Sequence, residues 1–163
     1  MDETSSKVSS LGAEPPLGIF TAKCDDKGRL KIPAEFATYL KELGVEKVFV
    51  TTVDLKLVRV YPKQVWERNR NLFENAGEHA AIAKDVAFIA NLYGAQSDID
   101  ANGRILIPTE LRRKLEIENS TVWLDYHNGY INVFGKKIYD ERMQRALVGL
   151  DHKVETLETK GFK

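Results

Sequence analysis

The spacing of apolar residues changes several times along this chain, and each change marks an element. Gly18–Cys24 (GIFTAKC) predicts a strand. Arg29-Leu30-Lys31-Ile32-Pro33 alternates polar and apolar, the period of a half-buried strand. Phe36, Tyr39, Leu40 and Leu43 then recur three or four apart, which predicts a short helix over 34–43 that stops at Gly44. Lys47–Thr52 and Leu57–Tyr61 are β-rich runs about a turn at 54–56, and Pro62 closes the second. A helix over 63–75, with Val65, Trp66 and Phe73 facing inward, is broken by Gly77. Ala80–Leu92 is Ala-rich, with Ile82, Val86, Ile89 and Leu92 on a face that should be buried or face an interface.

The order then repeats. A strand over 93–99 is followed by a short helix over 109–115. Strands over 121–125 and 130–134 flank Asn128-Gly129, a strong hairpin signal. A last helix runs from about Lys137 towards Leu150. Residues 1–16 lack apolar periodicity and predict a disordered tail. The polar end, 151–163, is expected to fray.

Behind the repeated order lies a repeated sequence. Asp25-Asp26-Lys27-Gly28-Arg29-Leu30-Lys31-Ile32-Pro33-Ala34-Glu35-Phe36 matches Asp100-Ala101-Asn102-Gly103-Arg104-Ile105-Leu106-Ile107-Pro108-Thr109-Glu110-Leu111. Both read D-x-x-G-R-φ-x-I-P-x-E-φ, with φ apolar. Asp25 to Asp100 and Phe36 to Leu111 are each 75 residues apart, so the match has no gap. Further on, Tyr61–Trp66 answers Phe134–Tyr139 at an offset of 73, which predicts a two-residue deletion in the second copy. The chain divides into a first repeat at 17–77, a linking helix at 78–92 and a second repeat at 93–150. The fold class is α+β, with β-hairpin/helix units duplicated about a pseudo-two-fold axis. One unit alone would leave much apolar surface exposed, and pairing two copies buries it.

Composition narrows the function without deciding it. The 163 residues are 43% hydrophobic and 29% charged, the balance of a soluble globular protein. No apolar run approaches the ~20 residues that span a bilayer, and no apolar leader is evident. The single cysteine, Cys24, excludes an internal disulfide framework and fits a reducing cytosol. Lys plus Arg and Asp plus Glu are 24 each, so nucleic-acid binding must be argued from where charges sit.

Within the motif, Asp25-x-x-Gly28 and Asp100-x-x-Gly103 are tight-turn signatures, because glycine takes positive φ and Asp bonds the backbone ahead of it. Pro33 ends the strand and opens a helix, where Glu35 meets the positive first turn. Gly, Ile, Pro and Glu are thereby explained structurally. The arginines are not, since exposed ion pairs contribute little. Arg29 and Lys31 share one strand face, and Arg104 has Arg112, Arg113 and Lys114 on the helix that follows. A β-ribbon fits the major groove, where Arg pairs with guanine O6 and N7 while lysines hold phosphate. Catalysis has little support. Asp25 and Asp26 are adjacent and face apart, His79, His127 and His152 lack metal-ligand spacing, Cys24 has no activating neighbour, and no phosphate-cradling glycine motif occurs.

The doubled motif resembles that of the MraZ family of bacterial transcriptional regulators, which carries two D-x-x-x-R motifs about this far apart. Here they are Asp25–Arg29 and Asp100–Arg104, and the likeness extends from Gly18 through Tyr61-Pro62 and Trp66 to about Leu150. The resemblance implies a double-split, swapped-hairpin (AbrB-like) β-barrel with flanking helices and no cofactor. It implies a cytoplasmic, nucleoid-associated ring of identical subunits. The ring would bind double-stranded DNA at repeated promoter boxes upstream of the division and cell-wall gene cluster. Arg29 and Arg104 would be the principal contacts, with Lys27 as the basic residue of the first loop; Lys31 and Arg112 would assist on the charge pattern of the strand and helix. Asn102 and Leu106 make the second turn less basic than the first, so the first hairpin should lead. Ala37 stands where the second copy has Arg112, and Phe134 where such proteins have Trp. The competing expectation is an oligomeric scaffold or antitoxin-like module whose partner is a protein.

Overall fold

The computed structural model describes residues 14–163, so the expected tail lies almost wholly outside the described residues. Among them, eight strands and six α-helices follow in two similar series. The first is β1 (Phe20–Cys24), β2 (Arg29–Lys31), α1 (Ala34–Glu42), β3 (Lys47–Thr51), β4 (Val58–Pro62) and α2 (Lys63–Glu74). A 3-10 turn, Gly77–His79, and α3 (Ala80–Tyr93) lead across. The second is β5 (Ala95–Asp98), β6 (Arg104–Leu106), α4 (Thr109–Lys114), β7 (Ser120–His127), β8 (Tyr130–Phe134) and α5 (Lys136–Leu147), followed by α6 (Leu150–Glu158).

All pairings are antiparallel, in the order β5-β3-β4-β8-β7-β1-β2-β6. The two end strands approach each other, and the Leu106 amide donates to Ser97 Oγ at 3.0 Å. The sheet is therefore a nearly closed barrel, which leaves little unpaired edge. Its hairpins are swapped. β1 of the first repeat pairs with β7 of the second, and β5 of the second pairs with β3 of the first. Neither repeat completes a barrel alone.

The pseudo-two-fold axis can be read from the register. In the β2–β6 ladder Leu30 faces Ile105, its own counterpart in the repeat. On the far side of the barrel Arg59 faces Asn132, again a counterpart pair. Leu30, Ile32, Phe36, Ile105, Ile107 and Leu111, all from the doubled motif, are 0–2% exposed and meet at the centre. Burying each such side chain stabilises by roughly 1.5–3 kcal/mol. The motif is thus core on one face and solvent-facing on the other.

Three details differ from expectation. α1 has 9 residues and α4 has 6, so the shrinkage of the repeat begins in the helix and is not a simple two-residue deletion. α3 packs through Ala83 and Ala90, with Val86 and Ile89 half-buried and Ile82, Phe88 and Leu92 exposed, so the face expected to be buried or to face an interface is only partly covered within the chain. The Thr51 hydroxyl donates to the Ala90 carbonyl at 2.6 Å. That bond draws the helix close to β3, where only a small side chain fits. Gly94, just beyond, has no room for a Cβ against Phe49 and the Ala90 carbonyl, and it separates the helix, which runs to Tyr93, from β5, which starts at Ala95. Finally, the C-terminal end forms α6 instead of fraying. Lys153 Nζ donates to the Arg145 and Ala146 carbonyls at the end of α5, tying the two helices together.

Candidate nucleic-acid interface

Each motif folds as the same turn, held by its aspartate. Asp25 Oδ1 accepts from the Lys27 and Arg29 amides at 2.9 and 2.8 Å, and Oδ2 accepts from Arg29 Nε at 2.8 Å. Asp100 repeats this with Asn102, Arg104 and Arg104 Nε at 2.8, 2.8 and 3.2 Å. One carboxylate therefore fixes both the turn and the arginine that follows it. It engages Nε and leaves the outer Nη1 and Nη2 edge of the guanidinium without an intramolecular partner among the described residues. That edge is the one that matches guanine O6 and N7.

The donated bonds act on the carboxylates. The Arg29 amide, followed by the Arg29 side chain and the Lys27 amide, holds the Asp25 carboxyl below the usual range. The Arg104 amide does so most for Asp100, followed by the Asn102 amide. A lowered folded value means that the stabilisation is complete above the unfolded Asp value of ~3.9 and is lost as pH falls through the folded one. Both turns should stay closed at pH 4.5 and open only in stronger acid, as backbone amide exchange at Lys27 and Arg29 can report. Asp25→Asn keeps an amide acceptor, so it should weaken any ligand of Arg29 less than Asp25→Ala. For the alanine about fivefold is expected, as for truncating a side chain that caps backbone amides.

The two turns meet along the β2–β6 ribbon. Leu30 and Ile105 point into the barrel, so Arg29, Lys31, Arg104 and Leu106 all point out on one face. Arg29 and Arg104 keep 49% and 39% of their side chains exposed despite their ion pairs. Lys31 stands directly opposite Arg104, and Arg29 opposite Leu106. Like charges directly across a ladder are destabilising. Lys31 has no ion-pair partner among the described residues, and Lys27 is exposed at the tip of the first turn. This concentration of positive charge at the axis suits an anionic ligand better than it suits the isolated fold.

Arg112 lies elsewhere. It is 8% exposed, and its guanidinium donates to Glu118 Oε2 from Nε at 2.8 Å and to the Ile107 carbonyl from Nη1 at 2.9 Å. The expected phosphate contact is replaced by an internal bond, because the side chain turns under the first turn and not out to solvent. Arg113, 63% exposed and 3.4 Å from Glu118 Oε1, and the exposed Lys114 are the outward basic residues of α4. Glu118 was not among the residues singled out from sequence, and it follows Arg112 at a spacing that carries no motif.

The turns differ in the room beneath their glycines. Both are left-handed, with φ of +84° at Gly28 and +75° at Gly103. A Cβ on Gly28 would lie 2.5 Å from Arg112 Nη1 and 2.7 Å from the Ile107 carbonyl, whereas one on Gly103 would meet nothing nearer than 3.8 Å. Gly103→Ala should cost about 1–2 kcal/mol for the left-handed backbone. Gly28→Ala should cost roughly 1–3 kcal/mol more through overlap, a difference measurable by denaturant unfolding.

Other candidate chemistry does not converge. Cys24 is fully buried, and burial pushes its thiol up to about 11, which suits a packing residue. His79, His127 and His152 are exposed, and no metal-binding cluster of His, Cys, Asp or Glu occurs among the described residues. Trp66 is buried against Phe49 and Tyr61, and Trp123 stacks on Tyr139 at 4.2 Å. No helix among the described residues is long and apolar enough to cross a membrane.

A swapped-hairpin barrel with a doubled Asp–Arg turn on its axis defines the class: a single-chain, two-repeat barrel of the AbrB-like kind. Three curated relatives named Transcriptional regulator MraZ agree with it. The relative from Koribacter versatilis is 30% identical over 110 residues, covering 67% of this chain and 75% of that protein. The one from Acidobacterium capsulatum is 28% identical over 127 residues, covering 78% and 86%. That of Anaeromyxobacter dehalogenans is 27% identical over 145 residues, covering 87% and 98%. No protein-family model matches the chain. On these relatives the chain belongs to the MraZ family.

Proposed function

We propose that this protein is a sequence-specific, double-stranded DNA-binding transcriptional regulator that sets its β2–β6 ribbon in the major groove. The observation that carries this reading is the register: Lys31 opposite Arg104, with Arg29 beside them and both guanidinium edges unpaired. Arg29 and Arg104 act as the base-reading residues, and Lys27 and Lys31 bind phosphate. Asp25 and Asp100, with Gly28 and Gly103, shape the turns. Arg112, buried in its own chain, is left out of the contact set.

The rest of the reading follows from membership of a family whose curated relatives are named transcriptional regulators. The protein acts in the cytoplasm at the nucleoid, on repeated boxes upstream of the division and cell-wall gene cluster, as a ring-like homo-oligomer. Exposed Leu72, Ile82, Phe88 and Leu92 on α2 and α3 support self-association. An assembly accounts for the zero net charge, because linked copies of a weak contact raise effective concentration.

The test is binding of the purified protein to its own upstream DNA and to random duplex across a salt series. The proposal expects a preference for the upstream DNA and an affinity falling by ~0.9 log units per log[salt] for each phosphate neutralised. Equal affinity for the two duplexes would favour the scaffold reading. A solution mass equal to one chain at micromolar concentration would remove the ring.

A further inference from the structure

We propose that Arg112 is a positioning residue that makes the two DNA-reading turns unequal, bracing the first and leaving the second free to adjust. This inference rests on the proposed DNA contact of Arg29. Arg112 reaches the first turn through packed backbone. Its Nη1 donates to the Ile107 carbonyl at 2.9 Å, and the Ile107 amide donates to the Gly28 carbonyl at 2.8 Å. The same Nη1 lies against Gly28, where a Cβ would be only 2.5 Å away. Glu118 holds the other side of the guanidinium through Nε, and the next residue, Asn119, directs its amide at the Asp25 carbonyl at 3.4 Å. The brace therefore touches the first turn at Gly28 and at Asp25, on either side of Lys27.

The second turn lacks this support. Its Ile32 amide donates to the Gly103 carbonyl at 2.9 Å, as the symmetry requires, but the residue beneath Gly103 is Ala37, with no donor and 3.8 Å of clearance. The braced turn is also the one that carries Lys27, where the other has Asn102. Rigid support of a reading residue lowers what must be ordered on binding. The first arginine is expected to discriminate bases sharply, and the second to tolerate variation in its half of the site.

The experiment compares the full-length protein with Arg112→Met, Arg112→Lys and Glu118→Gln. It follows amide exchange in both turns and binding to the upstream DNA over salt. Arg112→Met should speed exchange at Lys27 and Arg29 by about tenfold while leaving Asn102 and Arg104 unchanged. It should weaken DNA binding by about tenfold with the salt slope unaltered. Arg112→Lys, which restores a charge but not two directed donors, should recover only part of this. Glu118→Gln should give a smaller effect of the same half-selective kind, and serves if Arg112→Met does not fold. A salt slope reduced by ~0.9 would make Arg112 a phosphate contact and overturn the proposal. Faster exchange in both turns alike, or in neither, would also overturn it. If the parent shows no preference for its DNA, the functional reading fails, while the exchange data still decide whether Arg112 braces the first turn.

Discussion

Arg29→Ala and Arg104→Ala, made together, should abolish the preference for the upstream DNA while leaving the fold intact. In the proposed complex each arginine offers an Nη edge to a base, and a bidentate Arg–guanine pair is worth ~1–3 kcal/mol of discrimination. Either single variant should therefore lose about ten- to a hundredfold in affinity for the specific duplex. The two residues flank one axis on adjacent strands, so their effects should couple and not simply add. Stability should change little, because each arginine is exposed and paired only with its own turn's aspartate. Residual binding to random duplex should persist through Lys27 and Lys31. Titration of labelled duplex with each variant, beside thermal unfolding, separates these effects.

The largest effect on stability is expected from the buried side of the same motif. Phe36 is fully buried and meets Phe20 edge-to-face, with ring centroids 5.3 Å apart. Phe36→Ala should destabilise by roughly 3–5 kcal/mol, since the barrel around it is closed on most sides and cannot collapse into the space. That is a large share of the 5–15 kcal/mol typical of a whole domain. Leu111 is its counterpart in the second repeat, and Leu111→Ala should cost somewhat less, about 2–5 kcal/mol. Because the repeats exchange strands, either change should unfold both halves in one transition, which denaturant unfolding followed by tryptophan fluorescence would show.

Features set by near neighbours were legible in the sequence. The Asp-x-x-Gly turns, the inward Leu30 and Ile105 and the helix starts after Pro33 and Pro108 follow from period and turn chemistry within a few residues. The likeness of the repeats pointed to a two-fold arrangement. Long-range pairings were not legible from local pattern. Nothing local marks β1 for β7 across about a hundred residues of chain, and the swap was expected only through resemblance. The burial of Arg112 is hidden from local pattern for a related reason. A run of three basic residues on a short helix looks like a surface, and its burial depends on Glu118 and the Ile107 carbonyl. The clue lay in the alignment of the repeats, where the matching position holds small, apolar Ala37. In α3 the apolar period is only partly covered, with Val86 and Ile89 half-buried and Ile82 and Leu92 exposed. The close approach at Thr51 demanded alanine, and hydrophobicity alone does not register that demand.

In the proposed complex the arginines of the β2–β6 ribbon read guanine in the major groove. The most direct test is competition between the natural upstream duplex and the same duplex with 7-deazaguanine, which lacks the N7 acceptor and keeps the phosphates and the pairing. A loss of about tenfold or more is expected for the modified duplex. Arg29→Ala with Arg104→Ala should bind the two duplexes alike. Equal binding of both duplexes by the parent protein would contradict guanine readout.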